Sequence, residues 1–300
     1  MTHAPPLADL AALLDVEMLD RNLFRGPVKP GATGRVFGGQ VVAQAFMAAQ
    51  RSIDDDKVAH SLHAYFLRPG SEILPIILRV ERDFDGGSFA NRRVIALQNG
   101  LPLLSLTASF HRPEDGLAHG KAMPIVAAPE TLRSLADLAD AYGDSIPPAA
   151  RAYLLHPSAF EMRPVGQPSF LQRGVAEPIA HTWFRLDAPA PGDAALRRGI
   201  LAYMSDYSLL SSAFLPHGLN LFDHSFQNAS LDHAMWFHDD APLDDWLLYT
   251  TESDWAGRGR GHAVGTIYRR DGSVIARTAQ EGLIRARPDR PSGGTIPHMP

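Results

Sequence analysis

The chain has 300 residues, 45% of them hydrophobic, enough for one large domain or two of ordinary size with a real core. Its 28 Lys plus Arg against 33 Asp plus Glu give a net charge of -5, which excludes the global basic field of a nucleic-acid binder. It has no cysteine, so disulfides, thiolate zinc sites and cysteine nucleophiles are excluded, and chemistry must rest on oxygen and nitrogen side chains.

The N-terminal MTHAPPLADLAALLDVEMLD lacks a basic region followed by an apolar core, and no run approaches the ~18 apolar residues of a membrane span. The terminal HMP is not the peroxisomal tripeptide. A cytoplasmic protein without stable membrane insertion is the expectation.

From Val36, VFGGQVVAQAFMAAQRS predicts a helix, with Val42, Ala45, Phe46 and Ala49 spaced i, i+3, i+4, i+7. Gly38 and Gly39 head it and fit close packing or the approach of a ligand equally well. Four short β-rich runs follow, HSLHAYFLRPG, ILPIILRVERD, FANRRVIALQNG and PLLSLTASFHRP, punctuated by Pro, Gly and Asn-Gly. A helix followed by an antiparallel meander is an α+β plan in which the sheet wraps the helix.

Residues 114–169 change character, with Pro and Ala clusters and the amphipathic PETLRSLADLADAY, and read as a connector with short helices. Beyond them the first plan recurs. GDAALRRGILAYMSDYSLLSSAF predicts a helix N-capped by Asp193, and strand runs follow at 230–238, 246–253, 261–269 and 273–285. QNGLPLLSLTASF lies over RDGSVIARTAQEG, each with a hairpin turn, and SLHAYF lies over LDHAMWF. Two matches in the same order, each after a helix, indicate a tandem duplication. Residues 287–300 have no apolar periodicity and are expected to be disordered.

The stretch NASLDHAMWFH concentrates Ser230, Asp232, His233 and His238. On a regular strand His233 and His238, five apart, face opposite sides, so structural histidines are expected rather than a metal site. Ser230 and His233 also face opposite sides, and no G-x-S-x-G elbow exists, which argues against a serine triad. GRGRG, at 257–261, lacks the Lys-Ser or Lys-Thr of a phosphate loop and reads better as a hairpin turn.

In SVIARTAQEGLIR, period two sets Gln280 on the apolar face with Val274, Ala276 and Thr278. A buried amide needs partners, and a core glutamine or a functional one fits. At ~100° per residue, Asp206 falls about 80° from the centre of the stripe Leu196, Ile200, Tyr203, Tyr207, Leu210 and Phe214. That is the edge of the buried face, where a solvent-boundary aspartate also fits.

Taken together, VFGGQVVAQA, HSLHAYFLRPG, RRVIALQNG, LAYMSDYSLL, SLDHAMWFH and ARTAQEGLIR resemble the acyl-CoA thioesterase II family, in the expected order from about residue 20 to 286. The resemblance implies a double hotdog: two tandem repeats, each an antiparallel sheet wrapped around a long helix. Residues 1–113 would form the N-terminal hotdog, and 170–286 the C-terminal one carrying the catalytic residues. It further implies an acyl-CoA substrate, no cofactor and no metal; hotdog sheets often pair further, so a homo-oligomer is expected.

The family's water-orienting trio corresponds here to Asp206, Ser230 and Gln280, with serine where threonine is common. The hydroxyl is retained, and only the methyl that restrains its rotamer is lost. A thioester carbonyl is electrophilic and its thiolate leaves readily, so Asp206 would take the water's proton while Ser230 and Gln280 orient it, without an acyl-enzyme. Backbone N–H groups near a helix start are the expected oxyanion donors. Two other expectations compete: a non-catalytic acyl-CoA binder and a hotdog enoyl-CoA hydratase. The hydratase needs an Asp and His pair, and the nearest histidine after Asp206, His217, lies beyond the helix.

Overall fold

The computed structural model describes residues 6–287 apart from 30–33, 55, 156–157, 173 and 221. The tail 288–300, for which disorder is expected from composition, lies outside the described residues.

The first half opens with α1 (Pro6–Leu14) and the antiparallel pair β1 (Glu17–Asp20) and β2 (Leu23–Gly26). Then comes α2 (Gly38–Arg51), in which every residue from Gly39 to Ala49 is buried. A helix enclosed all round sits inside a sheet rather than on one. Its buried Gln44 is held there by donating from Nε2 to the carbonyls of Leu13 and Pro27, at 2.8 and 2.9 Å. The meander β3 (Val58–Phe66), β4 (Ile76–Asp85), β5 (Phe89–Gln98) and β6 (Leu101–His111) follows. Between β5 and β6, Asn99 and Gly100 take φ of +50° and +76°, the two left-handed residues of a type I′ turn.

Residues 114–169 hold the short helices α3 (Leu135–Tyr142) and α4 (Pro148–Leu154), and α3 opens on a Ser134/Asp137 capping box. They also hold β7 (Phe160–Pro164), which periodicity did not reveal; it pairs as an edge strand with β8 (Ile179–Leu186). The second half continues with α5 (Ala194–Ser205), β9 (Phe226–Ser230) and β10 (Asp232–Phe237). It ends with β11 (Leu247–Gly257), β12 (Arg260–Arg269) and β13 (Val274–Ala286).

The strand order is β1-β2-β4-β5-β6-β3-β10-β13-β12-β11-β8-β7, with β9 also beside β13. Two similar sheets thus join edge to edge through β3 and β10, and α2 and α5 pack on each other inside the curled sheet. This is the double hotdog. One apolar cluster, from Leu10 to Ala276, runs through both halves.

At the join, Leu62 pairs with Met235 and Ala64 with His233. These pairs are images of each other if Leu62 corresponds to His233 and Ala64 to Met235, and all four residues are buried. Aligning the halves on their shared His-Ala instead would set His63 over His233, yet His63 is exposed. A shift of one residue exchanges the faces of a strand, so burial decides the correspondence.

The second helix is shorter than its pattern. Apolar spacing carried it to Phe214, but α5 ends at Ser205, Ser208 turns left-handed at φ +58°, and a 3-10 turn covers Leu209–Ala213. The stop comes from Tyr249, whose hydroxyl donates to the Ser205 carbonyl at 2.8 Å, the acceptor that a continuing helix would offer to Leu209 N–H. Leu209, Leu210, Ala213 and Phe214 stay buried after the break, so the pattern itself shows no end.

Candidate active site

Asp206 is the C-cap of α5, and its side chain is only 6% exposed. It faces the start of α2, whose Gly39 N–H favours the ionised carboxylate. The two helices meet closely because α2 begins with glycine: a Cβ on Gly38 would stand 2.7 Å from Asp206 Oδ2, and one on Gly39 would stand 2.4 Å from the Tyr203 carbonyl. The N-cap, Phe37, offers no side-chain cap, which leaves leading N–H groups of α2 for other acceptors. Burial pushes the Asp206 pKa up to about 6, against the pull of the Gln280 amide and the Gly39 N–H.

Gln280, on β13, is nearly inaccessible and finds its partners among side chains rather than backbone. Its Nε2 lies 2.7 Å from Asp206 Oδ1 and 3.2 Å from His233 Nδ1. His233 Nε2 in turn lies 2.9 Å from Ser205 Oγ, which donates to the Ala202 carbonyl at 2.8 Å. This chain assigns the tautomer: Nδ1 accepts from the amide, so the proton sits on Nε2. Burial pushes His233 down to about 4, and the ring is neutral at physiological pH. Both amide protons are therefore committed, one to Asp206 and one to His233.

His233 is the residue that sequence reasoning passed over as merely structural. The available signal was weak: two polar side chains, His233 and Gln280, on apolar faces of strands that turn out to be neighbours.

Below this pair, Tyr249 completes the support by bonding Ser205 O and, at 2.9 Å, Thr278 Oγ1. Tyr249→Phe removes both bonds and is expected to lower stability by about 1 kcal/mol, read by urea unfolding.

Ser230 ends β9 and lies opposite Gly282 on β13, while Ala234 on β10 lies opposite Ala279. Three residues, Leu231 to His233, thus span only two, Gln280 and Glu281. This is a β-bulge. It overturns the expectation that Ser230 and His233 face opposite sides: the extra residue resets the alternation, so Ser230 lines the cleft and His233 meets Gln280. No hydrogen bond joins Ser230 to Asp206 or Gln280 among the described residues. His238 falls beyond β10 and is exposed, far from this arrangement in burial and role.

Asp206, Ser230 and Gln280 all line one largely apolar cleft of about 1220 Å³. Leu209, Leu210 and Phe214 from the broken helix contribute to it, and Lys29, Arg35 and Arg68 lie on its wall. His233 does not reach the cleft; its side chain is fully buried. The GRGRG stretch is a hairpin turn between β11 and β12, with Arg258 and Gly259 at φ of +51° and +76°. In the first half, Ser52 caps α2 and Ala108 takes the place of Gln280, so no carboxylate and amide pair is repeated there.

Residues 27–111 match the family model described as acyl-CoA thioesterase N-terminal domain, and residues 163–283 match the one described as acyl-CoA thioesterase. Acyl-coenzyme A thioesterase 8 of Homo sapiens is 38% identical over 287 residues, covering 93% of this chain and 89% of that protein. Acyl-CoA thioesterase 2 of Haemophilus influenzae is 37% identical, covering 93% of this chain and 98% of its own. The crystal structure of an acyl-CoA thioesterase II from Mycobacterium marinum gives a TM-score of 0.76 at 37% identity, covering 94% of this chain and 99% of that one. With both halves matched in order and the likeness extending over nearly the whole length, the protein belongs to the acyl-CoA thioesterase II family of double-hotdog thioester hydrolases.

Proposed function

We propose that the protein hydrolyses fatty acyl-CoA to free fatty acid and CoA, by direct attack of a water that Asp206, Ser230 and Gln280 position. The observation that carries this reading is a buried carboxylate with a pKa of about 6, bonded to Gln280 on the wall of a large apolar cleft. Such a carboxylate is a stronger base than an unperturbed one at ~3.9, yet is mostly ionised at neutral pH. Asp206 takes the proton as the water oxygen bonds to the thioester carbon. The Ser230 hydroxyl and the Gln280 amide oxygen restrict the water's orientation. Collapse of the oxyanion breaks the C–S bond, and the departing thiolate recovers the proton from Asp206.

The start of α2 is the natural oxyanion donor, because Gly38 lines the cleft at the positive end of a helix. Lys29, Arg35 and Arg68 suit the phosphates of CoA, and Leu209, Leu210 and Phe214 suit an acyl chain. No step requires a cofactor.

His233 bears on the hydratase alternative. Sequence separation suggested that Asp206 has no histidine neighbour, whereas His233 Nδ1 stands 3.9 Å from Asp206 Oδ1. Its ring is enclosed, with both nitrogens bonded to protein, so it has no route to a substrate. This favours hydrolysis over hydration.

The reading includes a cytoplasmic homo-oligomer. No helix among the described residues is long and apolar enough to cross a membrane, and β1 is an edge strand with Met18 and Leu19 exposed.

An acyl-CoA panel of graded chain length, followed with a thiol reagent, tests the function. Stoichiometric thiol release is expected. Saturable binding with no thiol would instead establish a non-catalytic binder, and loss of enoyl conjugation without thiol would establish a hydratase. The pH profile tests the base: kcat/KM should rise with unit slope up to an apparent pKa near 6 and stay level above it. A profile flat down to pH ~4 would remove Asp206 from that role.

A further inference from the structure

The bulge between β9 and β10 has its own stitch. Glu281 N–H donates to Asp232 Oδ1 at 2.7 Å, while Leu231 N–H donates to the Glu281 carbonyl at 2.9 Å. Where the extra residue interrupts the ladder, a side-chain carboxylate thus stands in for the missing strand carbonyl. The Leu231 carbonyl is used as well, accepting from Phe66 N–H at 2.9 Å on the first half's β3 side. Glu281's own carboxylate points elsewhere, to Arg260 at 3.1 Å.

We propose that Asp232 is a positioning residue for the reaction: its carboxylate holds the bulge that turns Ser230 into the cleft and His233 onto Gln280. The inference rests on the functional reading above and adds a residue to it. Asp232 is not on the cleft wall and does not touch the reacting atoms. Its effect is through register. Without an acceptor at 232 the Glu281 N–H is orphaned and keeps the full desolvation cost of an unpaired donor. Regular pairing would recover that bond by a slip of one residue, and a slip of one residue exchanges the faces. Ser230 and His233 would then fall on opposite sides, as unbroken alternation requires. One of the two contacts, the cleft hydroxyl or the imidazole behind Gln280, would be lost.

The conservative variant separates positioning from charge. Asp232→Asn keeps the Oδ1 acceptor, Asp232→Ala removes it, and Asp232→Glu keeps the charge but displaces the acceptor by one methylene.

The test measures kcat and KM of the full-length chain on a saturating acyl-CoA, for these three variants, for Ser230→Ala and for the Asp232→Ala/Ser230→Ala double variant. Asp232→Ala and Asp232→Glu are each expected to lower kcat by about 30-fold with KM changed by less than about 3-fold, and Asp232→Asn to stay within about 3-fold of wild type. Ser230→Ala should add little to Asp232→Ala, since the hydroxyl is already misplaced. If Asp232→Ala does not fold, the contrast between the Glu and Asn variants decides. Wild-type kcat in both the Ala and Glu variants, equal loss in Asn and Ala, or full multiplication of the two losses in the double variant would each overturn the proposal. Hydrogen exchange at the Glu281 amide reads the bulge independently of turnover: it should accelerate in Asp232→Ala and not in Asp232→Asn. That pattern with a wild type that releases no thiol would sink the functional reading and keep the bulge. Normal wild-type turnover with exchange and kcat indifferent to Asp232 would sink only this inference.

Discussion

Asp206→Asn should lower kcat for acyl-CoA hydrolysis by at least about 100-fold and leave KM nearly unchanged, because general base catalysis contributes ~100- to 10,000-fold and the isosteric side chain leaves the shape of the cleft unchanged. The asparagine oxygen still accepts from Gln280 Nε2, the donor 2.7 Å from the native Oδ1, and the side chain keeps its shape while it loses the base. Stability gives a second readout with a definite sign. The folded pKa, about 6, lies above the ordinary carboxylate value of 3.8, so the fold prefers the protonated acid. Below the unfolded value that preference is fully present. It is lost as pH rises through about 6, above which the fold encloses a charge. The stability of Asp206→Asn relative to wild type is therefore expected to rise by about 3 kcal/mol from pH ~3 to pH ~8 in urea titrations. A variant that hydrolyses at the wild-type rate would end the mechanism.

Gly39→Ala should do nearly as much damage from outside the trio. Its Cβ would stand 2.4 Å from the Tyr203 carbonyl and 2.5 Å from the Phe37 ring. A ring can rotate, but the carbonyl belongs to the last turn of α5 and cannot. The start of α2 must then withdraw, taking with it the N–H that favours the Asp206 carboxylate. A loss of about 2–3 kcal/mol in stability follows from overpacking. Turnover should drop by about 100-fold, the scale expected for a displacement of about 1 Å at a reacting centre. Gly87→Ala is the control, since a Cβ there meets nothing within 4 Å. Calorimetry and acyl-CoA turnover on both variants check the pair; a Gly39→Ala protein with wild-type Tm and kcat would show that the helices do not abut as described.

The two glycines show how far local reasoning reaches. Their place at the head of a helix was legible, but packing and ligand approach fit the sequence equally. The structure shows close packing: a Cβ on Gly39 would meet the Tyr203 carbonyl in the last turn of α5, and one on Gly38 the Asp206 carboxylate, each more than 150 residues later. Gln280 follows the same course. Period two set it on a buried face, and burial demanded partners; that the partners are Asp206 and His233 depends on which strands lie side by side.

The sequence by itself determined what short-range physics controls. Apolar spacing marked α2 and the two meanders, Asn99-Gly100 marked a type I′ turn, and the match of QNGLPLLSLTASF with RDGSVIARTAQEG marked the duplication. Each of these depends on contacts within a few residues, or on a face that repeats along one element. Tertiary structure decided whatever one distant group imposes on another. Tyr249 ends α5 by taking the Ser205 carbonyl, although the apolar stripe continues to Phe214. Asp232 takes the Glu281 N–H and holds a bulge that no alternation pattern displays, which brings Ser230 and His233 to one face. Periodicity assumes unbroken geometry, and the candidate site lies where the geometry is broken: at a helix end, a bulge and a glycine contact, each set by a hydrogen bond or a close approach from far along the chain.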